Sequence, residues 1–93
     1  MSIVIIGGND RMVCQYKAIC QKHNCKAKIF TQMSSNLSEK IGRPDLLVLF
    51  TNTVSHKMVK CALQNVSKDG TVIARSHSSS SCALKDILKK YVS

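Results

Sequence analysis

The segment Ile3-Val4-Ile5-Ile6-Gly7-Gly8 decides the fold that the sequence predicts. It lies in a predicted strand over Ser2–Gly8 whose apolar side chains occupy both faces, as is typical of a central strand in a parallel sheet covered by helices on both sides. The two glycines end this strand, and Asp10 is a good N-cap for a helix that begins at about Arg11. The chain is therefore expected to open with a buried strand and a helix that packs back on it.

The rest of the chain continues this alternation of strand and helix. Further strands are predicted at Lys26–Thr31, Leu46–Thr51 and Thr71–Arg75, and helices at about Arg11–His23, Ser55–Val66 and Ser81–Tyr91, with a helical turn at Leu37–Ile41. Alternation of this kind favours parallel strands joined by right-handed crossovers. The sequence thus predicts one α/β domain over residues 1–93. We expect a small, open, mostly parallel four-stranded sheet with helices on both faces, flavodoxin-like or Rossmann-like, in the order 2-1-3-4.

The composition excludes several classes of protein. Hydrophobic residues make up 44% of the 93 residues, which is typical of a folded domain and not of a disordered chain. No segment approaches the roughly 20 apolar residues that span a bilayer, and the apolar run Ile3–Ile6 is shorter than a signal-peptide core. We therefore expect a cytoplasmic protein without a membrane partner, whose five cysteines are reduced. The odd cysteine count and the absence of a C-x₂-C pair argue against a disulfide framework and a structural zinc site.

The net charge points to acidic partners. Fourteen Lys and Arg residues face five Asp and Glu residues, for a formal charge of +9. Nucleic acids, phosphates, carboxylates and anionic proteins are all attracted to such a chain. Nucleic acid is the less favoured of these partners because no basic block, arginine cluster or aromatic platform accompanies the charge. A solvated surface of helix lysines accounts for the charge as well.

The candidate site follows from the predicted topology. In open parallel sheets, ligands bind beyond the carboxyl ends of the strands. This rule selects the mostly small or polar loops Gly7–Asn9, Thr31–Gln32, Thr51–His56 and Arg75–Ser80. The dinucleotide fingerprint G-x-G-x-x-G and the Walker lysine pattern are both absent. A tight turn without a ligand therefore explains Gly7 and Gly8 at least as well as a phosphate-binding turn does.

His56 is the most informative residue of these loops. It lies in the first turn of a predicted helix, on the same side as Val59 and Leu63, so we expect it to point toward the sheet edge. The positive end of the helix dipole disfavours imidazolium there, and neutral imidazole is the form that binds a metal ion or heme iron. A capping or solvent-facing histidine is the alternative.

Arg75 and His77 follow the fourth predicted strand. An arginine at this position suits a bidentate contact with a carboxylate or phosphate, and Ser78–Ser81 are able to donate to the same anion. Helix capping beside an exposed arginine is the alternative. Only one carboxylate, Asp10, is expected near this edge, and no cysteine nucleophile is indicated. We therefore expect a binding protein and not an enzyme.

These residues resemble a known bacterial family. The segments that carry the resemblance are Ile5–Gly8, Tyr16 in the first helix, Phe50–His56 after the third strand and Arg75–Ser78 after the fourth. Together they are similar to the bacterial domain of unknown function 2325, in a short member that covers nearly the whole chain. The Val-Ser-His element that ends at His56, combined with the later Arg-Ser element, is the most specific part of the match.

The resemblance implies non-covalent heme binding, with binding or sensing of a diatomic gas. It makes His56 the axial ligand of the iron and Arg75 or His77 a distal or propionate-contacting group. The cofactor-binding residues implied with them are Gly7, Gly8 and Tyr16. No C-x-x-C-H motif is present, so covalent attachment is not expected. The alternatives are an anion- or nucleotide-binding regulatory module and a basic module that binds protein or nucleic acid.

The two predicted sheet edges differ in charge. Lys26 and Lys28 lie on one edge strand, where charges discourage strand addition, whereas Thr71–Ala74 on the other has no charge. We expect any homodimer to use this second edge, or the adjacent last helix with Tyr91 and Val92, in a two-fold contact.

Overall fold

The computed structural model of the chain describes residues 1–32, 37–42, 44–66 and 70–91, with the side chains of 38, 65 and 66 left undescribed. The strands are β1 (Ser2–Ile6), β2 (Lys26–Phe30), β3 (Leu46–Phe50) and β4 (Val72–Ser76). The helices are α1 (Val13–Lys22), α2 (Leu37–Ile41), α3 (His56–Val66) and α4 (Ser81–Tyr91), and a short 3-10 helix over Asp10–Met12 leads into α1.

The strands form one parallel sheet in the order β2-β1-β3-β4. Ile5 pairs with Ile29 on one side and with Val48 on the other, and Val48 pairs in turn with Ala74. The predicted fold class is therefore confirmed, including the strand order and the parallel direction of every pair.

The central strands are buried because helices cover both faces of the sheet. Ile3 and Ile5 point to the face covered by α1 and α4, and Val4 and Ile6 point to the face covered by α2 and α3. Each of these side chains is at most 2% exposed. Since burying a side chain of this size contributes about 1.5–3 kcal/mol, β1 and the equally buried β3 supply much of the stability of a small core.

The start of the first helix differs from the prediction. Asp10 is not the N-cap; the Asn9 side chain instead accepts the Arg11 N–H at 3.1 Å. The turn at Gly7 and Gly8, with φ of 103° and 90°, leaves Asn9 in the extended conformation that a cap requires. Asp10 is thereby free to accept a hydrogen bond from the Thr31 hydroxyl, which joins the ends of β1 and β2.

The cysteines divide by burial. Cys20 and Cys25 are buried, Cys61 is half-buried, and Cys14 and Cys82 are exposed, all as free thiols. Burial, with a smaller contribution from neighbouring Cys25, raises the pKa of Cys20 to about 11. The Cys20 thiol therefore stays protonated and serves as a small apolar core residue. In the described part of the chain, no helix has the length and apolar character needed to cross a membrane.

Candidate functional site

The crevice where ligands usually bind in such sheets is closed by the chain itself. The strand order reverses between β1 and β3, so the switch point lies between the loops that follow these strands. A Cβ atom on Gly7 would lie 2.5 Å from Val54 Cγ1 and 3.0 Å from the Phe50 carbonyl oxygen. The Gly8 N–H donates to Thr53 Oγ1 at 2.7 Å, and that hydroxyl donates to the Phe50 carbonyl at 3.1 Å. Backbone and side chains of the two loops therefore fill the space.

Tyr16 seals the same region from the α1 side. A Cβ atom on Gly8 would lie 2.8 Å from the Tyr16 ring, and this ring packs 5.4 Å from that of Phe50. The Tyr16 hydroxyl donates to the Ser79 carbonyl, and burial raises the pKa of Tyr16, which favours the neutral donor. The Gly7 N–H is also engaged, with the Phe30 carbonyl at 2.8 Å. Gly7, Gly8 and Tyr16 thus form a tightly packed turn with both glycine N–H groups in use.

Accessible polar groups lie farther along the edge, between β3 and β4. The Thr51 hydroxyl donates to the Ser76 carbonyl at 3.2 Å and lies 3.2 Å from Nδ1 of His77. The Nδ1 atom of His77 is therefore engaged with Thr51, while the imidazole as a whole remains exposed.

His56 and Arg75 lie on elements at the carboxyl edge of the sheet. Arg75 pairs with Leu49, and strand alternation puts its side chain on the same face as Ile73, where α3 packs. His56 is the first residue of α3, which follows the carboxyl end of β3. Both side chains are exposed, and neither forms a hydrogen bond or ion pair within the described part of the chain. Two groups of different chemistry, an imidazole and a guanidinium, are therefore both exposed on elements that meet the carboxyl edge of the sheet.

The face of α3 that packs on the sheet contains Val59 and Leu63 and extends to Met58 and Ala62. Met58 and Ala62 are buried, and Val59 and Leu63 are half-buried against the same core cluster. Met58 was not predicted to be inward. His56 itself is exposed, which agrees with the solvent-facing alternative as well as with access for a ligand.

The serines after β4 mostly satisfy one another. Ser76 Oγ accepts the Ser78 N–H at 3.2 Å, and Ser78 Oγ accepts the Ser80 N–H at 3.3 Å. Ser80 Oγ accepts the Ala83 N–H at 3.2 Å and so caps α4. These contacts agree with the capping interpretation of the serine run, beside which Arg75 is an exposed cation.

A metal ion held by protein ligands alone does not fit this edge. Among the described residues, no three His, Cys, Asp or Glu side chains are grouped so that they could bind one. Heme iron differs, because the porphyrin supplies four nitrogen ligands and the protein needs to supply only an axial one. A single exposed histidine such as His56 therefore meets the need for one axial nitrogen and no other requirement of a heme site.

The stability cost of a side chain at Gly7 can be compared with the cost at a second glycine that has a positive φ. Gly42 also has a positive φ, of 63°, but a Cβ atom there would meet no atom within 4 Å. We expect Gly42→Ala to cost only the left-handed backbone strain, about 1–2 kcal/mol. Gly7→Ala adds the collision with Val54 and should cost about 1–3 kcal/mol more. Urea unfolding followed by circular dichroism measures both losses; equal losses would show that the two loops are not in close contact.

One comparison with known proteins gives a match, and this match extends along nearly the whole chain. No curated protein and no solved structure matches the sequence. A family model described as "Uncharacterized protein conserved in bacteria (DUF2325)" matches residues 2–91. This match contains both central strands, the Gly7-Gly8 turn and the His56 and Arg75 positions. The chain therefore belongs to the DUF2325 family of bacterial proteins.

Proposed function

We propose that this protein is a small cytoplasmic ligand-binding module without catalytic activity, and that its ligand is a non-covalently held heme. The observation that carries the proposal is that His56 is exposed, lacks a polar partner among the described residues, and begins the helix that follows β3, the strand that pairs with the strand of Arg75.

The polar requirements of heme are met by residues of this edge. His56 would supply the axial nitrogen, and the Arg75 guanidinium would hold a propionate by a bidentate contact. His77, whose Nδ1 contacts the Thr51 hydroxyl, is the second exposed imidazole at this edge. When bound, the heme iron would supply the capacity to bind a diatomic gas.

The apolar requirement of heme calls for a second surface. Asn52, Thr53 and Ser55 are exposed polar residues, and half-buried Val54 is the apolar side chain among them. A heme held here by one chain would leave much of its ring in water, which is unfavourable by about 25 cal/mol per Å² of apolar area. We therefore propose that the protein acts as a homodimer, in which the partner extends the wall beside the site.

The free edge of β4 suits this dimer. Val72 is 43% exposed and Tyr91 of the neighbouring helix is 38% exposed, while Val92 lies outside the described residues. The Val72 N–H and the Ser76 carbonyl are bonded toward β3, so the backbone groups of Ile73 and Arg75 point outward. An antiparallel two-fold pair centred on Ile73 sets Arg75 opposite Thr71 of the partner subunit and so avoids arginine–arginine repulsion.

The heme proposal predicts a spectral change that depends on His56. Wild-type protein titrated with hemin should give a shifted Soret band with saturable, one-to-one binding per chain. His56→Ala should weaken hemin binding by at least about tenfold, which corresponds to about 1.4 kcal/mol. Absorption spectroscopy and gel filtration of the complex measure the effect.

His23 provides the matched control for this titration. It caps the C-terminus of α1, at the opposite end of the helix from the proposed site, so His23→Ala should leave the Soret shift intact. A shift that survives unchanged in His56→Ala, or that is lost equally in His23→Ala, would contradict the assignment of His56.

The dimer predicts a charge-sensitive sheet edge. Val72→Lys sets a charge on the uncovered part of β4 and should convert the dimer to a monomer, because edge lysines oppose strand pairing. Gln21→Lys, which adds the same charge to an exposed position of α1, should leave the dimer intact. Sedimentation velocity over a range of concentrations reports both; a wild-type chain that stays monomeric throughout would exclude this contact.

An anion-binding regulatory module is the second candidate. It is favoured by the polar surroundings of Arg75, which include half-buried Ser76 and exposed His77 and offer little apolar surface. In this function a phosphate or nucleotide phosphate would accept hydrogen bonds from the guanidinium, and no iron ligand is needed.

A thermal-shift experiment separates the two candidates. A phosphate ligand at about 100 times its Kd should stabilise the protein by about 2.7 kcal/mol, or a rise in Tm of roughly 10–20 °C for a chain of this size. Arg75→Gln should abolish the rise, whereas Lys85→Gln on the exposed side of α4 removes the same charge and should preserve it. No rise with inorganic phosphate or with any nucleotide tested would reject the anion module, whatever the outcome with hemin.

A further inference from the structure

Lysines from three elements border the free edge of β2. Lys17 of α1, Lys28 of β2 and Lys40 of α2 line a shallow groove of about 480 Å³, in which Glu39 is the acidic residue. Lys26 borders the hollows that continue along the same edge toward its amino end. All four lysines are exposed, and none forms an ion pair with a carboxylate in the described part of the chain. The groove therefore carries uncompensated positive charge.

The backbone at this edge is open to another strand. The Lys26 N–H donates to the Met1 carbonyl at 3.0 Å, and the Gly7 N–H donates to the Phe30 carbonyl at 2.8 Å. The even-numbered residues of β2 thus pair with β1, and the N–H and C=O groups of Ala27 and Ile29 point away from the sheet. These outward groups form the alternating donors and acceptors that a further strand needs.

The two sides of this edge differ in chemistry. Half-buried Val13, Ala27 and Ile29 provide an apolar surface on the α1 side. On the α2 side, strand alternation sets Lys26 and Lys28 on the face of Phe30, where Lys40 also lines the groove. In a strand added here, every second side chain would face the apolar groups on the α1 side. The side chains between them would face the lysines on the α2 side.

We propose that the β2 edge is a docking site for an extended acidic segment of a partner protein, which adds to the sheet as a further strand. The backbone groups of Ala27 and Ile29 pair with the segment, acidic side chains face Lys28 and Lys40, and apolar side chains pack toward Val13. The same lysines repel a second copy of β2, so the charge selects an acidic partner over self-association. This surface is at the opposite edge of the sheet from β4 and does not depend on the heme or anion site.

A peptide fits this edge better than a nucleic acid does. Phosphate oxygens only accept hydrogen bonds, so they can use the N–H groups of Ala27 and Ile29 but are repelled by the carbonyls between them. Stacking platforms are also lacking, since the aromatic residue at this edge, Phe30, is half-buried against the α2 and α3 face. A peptide backbone satisfies both kinds of group.

The test uses a fluorescein-labelled peptide of alternating Glu and Val, about six residues long, the length of an ordinary strand. Fluorescence anisotropy of this peptide should rise on titration with the full chain. Ile29→Pro removes an outward N–H without removing a bond to β1, and should weaken binding at least about tenfold. Ile73→Pro, at the equivalent outward position of β4, should bind as the wild type does.

Two further measurements keep the result decisive. Lys28→Glu should lower the affinity about tenfold while Lys85→Glu on α4 does not, which separates local charge from net charge. If Ile29→Pro does not fold by circular dichroism, a peptide N-methylated at alternate residues replaces it and should lose its affinity for the wild-type chain. The proposal is wrong if the wild-type chain does not bind the peptide. It is also wrong if single-stranded oligothymidylate competes equally with the peptide and Ile29→Pro still binds the peptide in full.

Discussion

The approach of the Gly7 and Gly8 backbone to the loop after β3 is the contact on which the carboxyl edge of the sheet depends. It is tight enough that a Cβ atom at Gly7 would fall 2.5 Å from Val54, so only a residue without a side chain lets the two loops meet. The contact draws the Thr53 hydroxyl onto the Gly8 N–H. It also allows the Tyr16 ring to lie against the turn and reach the Ser79 carbonyl. The loops after β1, β3 and β4 are thus held in one arrangement by a single turn.

This arrangement changes where a ligand has access. In a larger fold of this type, the space between the first and third strands receives the ligand. Here the same space is filled by the chain, since so short a sequence has few residues from which to build a core. The groups that remain open lie toward β4, where His56 and Arg75 have no polar partner among the described residues.

The two edges of the sheet are open in chemically different ways. The β4 edge offers exposed Val72 with Arg75 at its end, and the β2 edge offers outward backbone groups flanked by lysines. Because like charges oppose each other across a two-fold axis, the lysine-lined edge is poorly suited to a copy of itself. The net charge of +9 is therefore unevenly distributed. Part of it is concentrated at the β2 edge, where outward backbone groups are unpaired within the described part of the chain.

Most of the fold could be predicted from the sequence, because the composition of each strand indicates how far its two faces are buried. Leu46–Phe50 is apolar at every position, which only a strand buried on both faces can accommodate. The helix patterns were less complete: α3 buries Met58 in addition to packing Val59 and Leu63 on the core, since the exact rotation of a helix depends on the shape of the sheet beneath it. The N-cap at Asn9 was missed for a related reason, because the glycine turn decides which residue becomes extended.

The sequence by itself determined the class of the domain, the order of its strands, the family and the loops that converge on one edge. Those properties follow from local composition and from the handedness of crossover connections. Only the tertiary structure decided which groups in these loops are available. The Gly8 N–H, the Tyr16 hydroxyl and the serines after β4 each find a partner in a distant or neighbouring segment, whereas the side chains of His56 and Arg75 find none among the described residues. Hydrogen-bond satisfaction depends on the positions of atoms far apart in the chain, and a sequence pattern does not contain those positions.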